Sequence, residues 1–303
     1  MSMPDPAGDR SRLQRVREVR HSGGYKSTTL LLSSLLIGTI ILGAIYVAVT
    51  GNDDDSAAPP PVFPQGTGQP SAQAAPPSAI ELPANAFGIP TTDLHGQRIE
   101  TPTNPLGQVL PQTAKPSAST TITDPDAPLE APKGLMWQRV NGTPLGFSTS
   151  DGPTSIDSSG VPAGFSHTPQ GAVLAIWQIF QRAAWGPGEQ TEAVVRERAV
   201  VTPQSQPVVD RLINGRDELE QLRPQLPPGM FDVPIAVKVA NYDNDYAHIQ
   251  IATPTSPNRS DGVIAATYAF DVIWQDNTWK WVVPNDGVDT GSTIVSLSGW
   301  SQW

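Results

Sequence analysis

The chain contains no cysteine. That excludes a disulfide framework, thiolate metal sites, a thiol nucleophile and lipoprotein acylation, and it leaves the compartment open. Histidine is scarce, with only His21, His95, His167 and His248. No G-x-S-x-G elbow, phosphate loop with its lysine, or H-E-x-x-H pair occurs. Positive charge is also short: 19 Lys and Arg face 29 Asp and Glu, for a net charge of −10. From Ala131 to Trp303 the count is 11 against 17, an acidic excess of 6, so no nucleic-acid partner is expected for that region. These absences lead to the expectation of a non-enzymatic protein without cofactor or metal.

What the chain does have is one long uncharged run, Thr28 to Thr50. At about 1.5 Å per residue, a helix of this length spans the roughly 30 Å hydrocarbon core of a bilayer. Arg10, Arg12, Arg15, Arg17, Arg20 and Lys26 precede it, and Asp53, Asp54 and Asp55 follow it. Basic flanks stay in the cytoplasm, so residues 1–27 are expected inside, as a basic arm that meets anionic headgroups rather than nucleic acid, and everything after 50 outside. A cleavable signal peptide ending near Ser56-Ala57-Ala58 is the rival reading. The run is longer than the usual hydrophobic region of such peptides and ends in acid, which favours a retained single-pass anchor in the cell membrane. Ser34/Gly38 and Thr39/Gly43 are small residues four apart, either ordinary helix residues or a face for a second copy.

Large apolar side chains are rare after the run. Sixteen of the 32 prolines lie between Gly51 and Pro132, where the only aromatics are Phe63 and Phe87. Such composition predicts a disordered Pro-rich linker over 51–131, because it offers too little apolar surface to offset ordering entropy. As a coil of about 80 residues it would reach roughly 50 Å. Within it, Leu82 to Leu110 is less repetitive and contains Phe87-Gly88-Ile89-Pro90 and Asp93-Leu94. It reads as a docking sequence with Phe87 and Leu94 as partner contacts, or as a plain spacer.

All eight tryptophans lie after residue 132, which places the folded domain at 132–303. Met136–Val140 and Leu145–Ser148 flank Asn141-Gly142, a hairpin signal. Thr168-Pro169 is a helix cap followed by proline at the first helical position. Ala172, Val173, Ile176, Ile179, Phe180 and Ala183 then recur at helical spacing and predict one buried stripe, ended by Gly186-Pro187. Two further helices are expected at Glu189–Val201 and Pro207–Leu222. After Pro224, Pro227, Pro228 and Gly229 the period changes to two. Strands are expected around Ile235–Val239, His248–Ile251, Ile264–Trp274 and Trp279–Val283, with Trp274 opposite Trp279 across a turn. The fold class is therefore α+β: about three helices in one layer on a curved antiparallel sheet.

Four features carry alternative readings. His248 could act as a base beside Asp243, Asp245 or Asp271, or be a solvated strand residue. Asp243 and Asp245 fit a fragment of a calcium loop, but the other ligands are missing and a turn explains them better. Tyr268 and the tryptophans could line a pocket, although core packing accounts for them. Trp300 and Trp303, near the chain end, are either docked on the domain or exposed to a partner.

Three helices followed by a curved antiparallel sheet, carried outside by one membrane helix, resemble the nuclear-transport-factor-2-like, cystatin-like fold of bitopic conjugation and type IV secretion assembly proteins. The segment Val161-Pro162-Ala163-Gly164-Phe165-Ser166-His167-Thr168-Pro169-Gln170-Gly171-Ala172-Val173 is similar to one in membrane proteins of actinobacterial mobile elements. The resemblance covers residues 132–303 and the anchor. It implies a membrane scaffold or assembly subunit, with the lipid bilayer, other complex subunits and further copies of itself as partners. An accessory protein of a lipid-import or cell-wall complex, and a ligand-binding or enzymatic domain with a cone-shaped pocket, are the alternatives. The short hairpin before the first helix departs from the simplest version of the fold.

Overall fold

A computed structural model describes residues 82–216, 221, 231–255 and 262–303. The expected basic arm (1–27), membrane helix (28–50), first part of the linker (51–81) and end of the third helix (217–220 and 222) lie outside the described residues. Among the described residues, no helix is long and apolar enough to cross a membrane.

The first strands among the described residues form a small hairpin, β1 (Thr91–Thr92) and β2 (Arg98–Ile99). It is followed by the hairpin β3 (Met136–Val140) and β4 (Thr143–Phe147). Asn141 and Gly142 join those strands with φ of 51° and 83°, the left-handed pair that a tight two-residue hairpin turn requires. A further short pair, β5 (Ser155–Ile156) and β6 (Pro162–Ala163), leads into helix α1 (Pro169–Trp185). Thr168 caps α1 as its sequence signals: Oγ1 accepts from the Gly171 N–H at 3.0 Å. Helix α2 (Gly188–Arg198), strand β7 (Ala199–Val200) and helix α3 (Gln206–Asn214) come next. The remaining strands are β8 (Ala236–Asp243), β9 (Tyr246–Pro254), β10 (Ala265–Gln275), β11 (Thr278–Val282) and β12 (Asp289–Ile294).

The main sheet runs β7-β11-β10-β9-β8, with β12 also paired to β10. It is antiparallel apart from the short parallel pairing of β7 with β11. Helix α2 therefore stops earlier than its sequence suggests: Ala199 and Val200 leave it to pair with Trp281 and Val282. β-branched Val200 suits that extended backbone. Asp276 and Asn277, with φ of 53° and 59°, turn β10 into β11 and set Trp274 opposite Trp279, with ring centroids 5.2 Å apart.

Two sequence expectations need correction here. Every α1 residue except Ala184 is buried, so the helix has no single buried stripe. The reason is a third layer. On one side Phe180 packs on Phe270, Tyr268 and Trp281 of the main sheet, with centroids 5.0, 5.8 and 6.1 Å away. On the other, Trp177 Nε1 donates to the Pro144 carbonyl at 2.9 Å and Gln178 Nε2 to that of Gly146 at 2.8 Å, fastening α1 to β4. A side chain at Gly146 would meet Leu174 Cδ2 at 2.9 Å, so glycine permits this approach. The Tyr268 cluster is core, and burial pushes the Tyr268 phenol above its ordinary pKa.

The second correction concerns the linker. From residue 82 the Pro-rich segment lies on the domain: Ile99 and Leu110 are buried in it, and Phe87, Ile122 and Leu129 pack against the main cluster. The segment has no core of its own and shares one made by residues far along the chain. Ile122 pairs with Tyr242 and Ser301 with Val237, so both ends of the outer edge of β8 are covered. Leu129 N–H donates to Ser301 Oγ at 2.7 Å, tying the segment to the C-terminal tail.

Candidate functional site

The residues flagged in the sequence as partner contacts separate into two groups. Trp303 is docked on its own domain, with Nε1 donating to the Leu129 carbonyl at 3.1 Å. Trp300 covers a patch made of Ala236, Ala252 and Ala265, with Lys238 Nζ 5.6 Å from its ring centre. Phe87 turns inward and pairs with Pro102. Leu94 does the opposite and is 59% exposed, and its neighbour Ile89 is 88% exposed.

Ile89 and Leu94 stand on an arm, residues 82–103, that the structure holds in place. Ile99 anchors its inner side, and β2 continues into a parallel bridge from Glu100 to Gln138. Glu100 N–H donates to the Trp137 carbonyl at 2.8 Å, and Arg139 N–H to that of Glu100 at 2.9 Å. At the tip, Asp93 Oδ1 accepts from the N–H groups of His95 (2.9 Å) and Gln97 (2.8 Å), an Asx-type turn completed by Gly96 at φ 81°. Asp93 Oδ2 accepts from Val233 N–H at 3.1 Å, pinning the turn to the segment just before β8. The strand β1 pairs, among the described residues, only with β2, so its other edge faces outward.

Beneath Leu94 lies a cluster that the sequence reading missed. Asp232 is 7% exposed, accepts a backbone hydrogen bond from Leu94, and has Oδ2 3.7 Å from His95 Nε2. Burial, and then the charge of Asp93, push its carboxyl above the usual carboxylate range. Burial likewise lowers the Arg139 guanidinium, while Asp232 and Asp93 oppose that shift. The local signal was Asp93-Leu94-His95-Gly96, a turn sequence. Asp232 and Arg139 join it only through long-range folding.

The other histidines have separate partners. His248 Nδ1 lies 2.8 Å from Asp271 Oδ1, which also accepts from the Tyr246 hydroxyl at 2.7 Å. Of the three acids considered beside His248, Asp271 is therefore the one in contact, across the β9–β10 pairing. His167 stacks on Trp274 at 4.1 Å, and its Nε2 contacts the Asn244 carbonyl at 3.0 Å and Asp245 Oδ1 at 3.3 Å. Asp243 and Asp245 flank Asn244, which has a turn φ of 43°. Among the described residues, no group of three or more His, Asp or Glu side chains is placed to hold a metal ion.

Comparison with known proteins gives one match, to the family described as a domain of unknown function (DUF8175), over residues 100–302. No curated protein and no solved structure matches the chain. The matched span contains the β3–β4 hairpin, α1 and the whole main sheet, and the exposed tip of the arm lies just before it. With about two thirds of its length in the match, the chain belongs to the DUF8175 family.

Proposed function

We propose that this chain is a membrane-anchored, non-enzymatic scaffold or assembly subunit, in a machine of the conjugation or type IV secretion kind. The uncharged run at Thr28–Thr50 fixes it in the bilayer, and the polarity of its flanks puts the folded domain outside the cytoplasm. The α+β arrangement of three helices with a mainly antiparallel sheet supports the resemblance to cystatin-like domains of such proteins.

The observation that carries the reading is the arm. Leu94 is held outward by a turn that Asp93 and Asp232 pin, and exposed Ile89 precedes β1, whose second edge has no strand partner among the described residues. Isolated surface leucines are ordinary, but two large apolar groups on a fastened arm fit a contact with neighbouring subunits of the same membrane complex.

The absence of native cysteine makes the topology directly testable. Ser11→Cys and Leu94→Cys variants are treated in intact cells with a membrane-impermeant maleimide. Leu94→Cys is expected to label at once, and Ser11→Cys only after permeabilisation. Labelling in the reverse order contradicts the proposal.

A further inference from the structure

Two hydrogen bonds that cross fasten the tip of the arm to the domain. Asp93 Oδ2 accepts from Val233 N–H at 3.1 Å, and the carboxylate of Asp232, one residue before Val233, accepts from the N–H of Leu94, one residue after Asp93. Each stretch therefore supplies one carboxylate and one amide to the other. The same exchange brings two carboxylates to one joint, close enough for the charge of Asp93 to act on Asp232.

The two are not equally provided for. Asp93 is half-buried, and its Oδ1 also takes the His95 and Gln97 N–H groups, so hydrogen bonds support its charge. Asp232 is 7% exposed, its Oδ1 is buried without a hydrogen-bond partner, and His95 Nε2 stands 3.7 Å from its Oδ2, beyond hydrogen-bond reach. The charged and titratable groups that face Asp232 among the described residues are Asp93 and His95 of the arm and Arg139 of β3. Arg139 acts on it by charge, while its Nη1 donates to the Gly142 carbonyl at 3.1 Å. An ionised Asp232 is thus poorly compensated where it sits.

We infer that the tip of the arm is a proton-controlled latch: with Asp232 protonated, the turn that carries Leu94 is held on the domain, and with Asp232 ionised it is loosened. In a released arm Asp232 meets water and returns to the ordinary carboxylate range. In the docked arm burial first, and Asp93 second, raise it against the pull of Leu94 N–H, His95 and Arg139. The docked arm therefore binds a proton more readily than the released one. Docking is strongest below the ordinary carboxylate range and weakens as the pH rises through the raised one. The consequence for partners rests on the scaffold reading: a fastened Leu94 meets a neighbouring subunit without an ordering cost, so that contact tightens in acid.

Hydrogen exchange at the Leu94 and Val233 amides tests the latch on the full chain in detergent. No partner is present, so the outcome is independent of what Leu94 contacts. After correction for the intrinsic exchange rate, protection at both amides is expected to be about threefold or more higher at pH 5 than at pH 8, as one displaced carboxyl proton allows. The centre of β9 and β10 reports whether the domain stays folded. Asp232→Asn keeps an acceptor for Leu94 N–H and cannot ionise, so its protection should be the same at both pH values. His95→Gln leaves the carboxyl in place and should keep the dependence. Equal protection of the native chain at pH 5 and pH 8, higher protection at pH 8, an undiminished dependence in Asp232→Asn, or its loss in His95→Gln overturns the inference.

Discussion

Arg182→Met is expected to lower the stability of the folded domain by about 2–4 kcal/mol, because it removes three hydrogen bonds and leaves the Gln178 and Leu106 acceptors without their donor. Arg182 is 1% exposed in the middle of α1, and no carboxylate is hydrogen-bonded to it. Nε donates to Gln178 Oε1 at 3.1 Å, Nη1 to the Gly160 carbonyl at 3.3 Å and Nη2 to the Leu106 carbonyl at 2.8 Å. One guanidinium thus joins the helix, the β5–β6 turn and the Pro-rich segment. Burial pulls its pKa down to about 9, with the charge of Asp157 opposing the shift. The cation is therefore disfavoured in the fold, and that penalty is fully present below about pH 9 and fades only as the pH rises above it. Methionine fills much of the volume and removes the penalty, which offsets part of the loss. The three lost hydrogen bonds, at about 1 kcal/mol each, outweigh that gain, although the Gly160 carbonyl keeps a donor in Gln190 Nε2 at 3.3 Å.

Urea unfolding of the full chain in detergent, followed by tryptophan fluorescence, measures the effect. All eight tryptophans lie after residue 132, so the signal reports this region alone. Arg182→Lys should lose nearly as much, because a single ammonium cannot span three acceptors in a fork. An unchanged midpoint for Arg182→Met would mean that the three contacts contribute nothing net.

Asp151→Ala is the second large effect, expected at about 3 kcal/mol or more. Asp151 is fully buried and accepts five hydrogen bonds. They come from Ser117 N–H (3.2 Å), Ser117 Oγ (2.9 Å), Ser150 Oγ (2.6 Å), Ser166 Oγ (2.5 Å) and Thr168 Oγ1 (2.8 Å). Thr168 is also the cap of α1, so the carboxylate stands at the positive end of the helix, where an anion is favoured. Alanine would release the Pro-rich segment at Ser117 and loosen the helix start together. Asp151→Asn keeps one acceptor oxygen and turns an amide toward hydroxyls able to accept, so roughly half the loss is expected. Hydrogen exchange gives the spatial check. Residues 114–123 should exchange faster in Asp151→Ala while the centre of β9 and β10 stays protected, and uniform protection across 114–123 would contradict the hub role.

Legibility in the sequence followed the range of the interaction. Thr168-Pro169, Asn141-Gly142 and the turn between Trp274 and Trp279 were readable because cap and turn chemistry is local. The third layer over α1 was not, although Leu174, Trp177 and Gln178 carry it, since they read as the ordinary far side of a helix. The ordered 82–131 segment was missed for a compositional reason. Leu110, Ile122 and Leu129 are isolated among prolines and small polar residues, with no period, and each joins a cluster made mostly by residues far away in the chain. Composition judged, soundly, that the segment cannot make its own core, but it could not show that one is supplied. Asp151 and Asp232 were hidden likewise, because their donors and neighbours come from separate segments. Leu94 was noticed as an apolar residue in a polar run, and it is exposed, whereas Phe87, noticed for the same reason, is turned inward.

The central claim is that the arm meets other subunits of a membrane complex. The most direct test places a photoreactive residue at Leu94 in the full chain and irradiates intact membranes. The account predicts discrete crosslinked products containing other envelope-complex subunits, absent when the photoreactive residue stands instead at exposed Ser298 on the C-terminal tail. A chain that remains uncrosslinked at Leu94, or that gives the same products from Ser298, would contradict it.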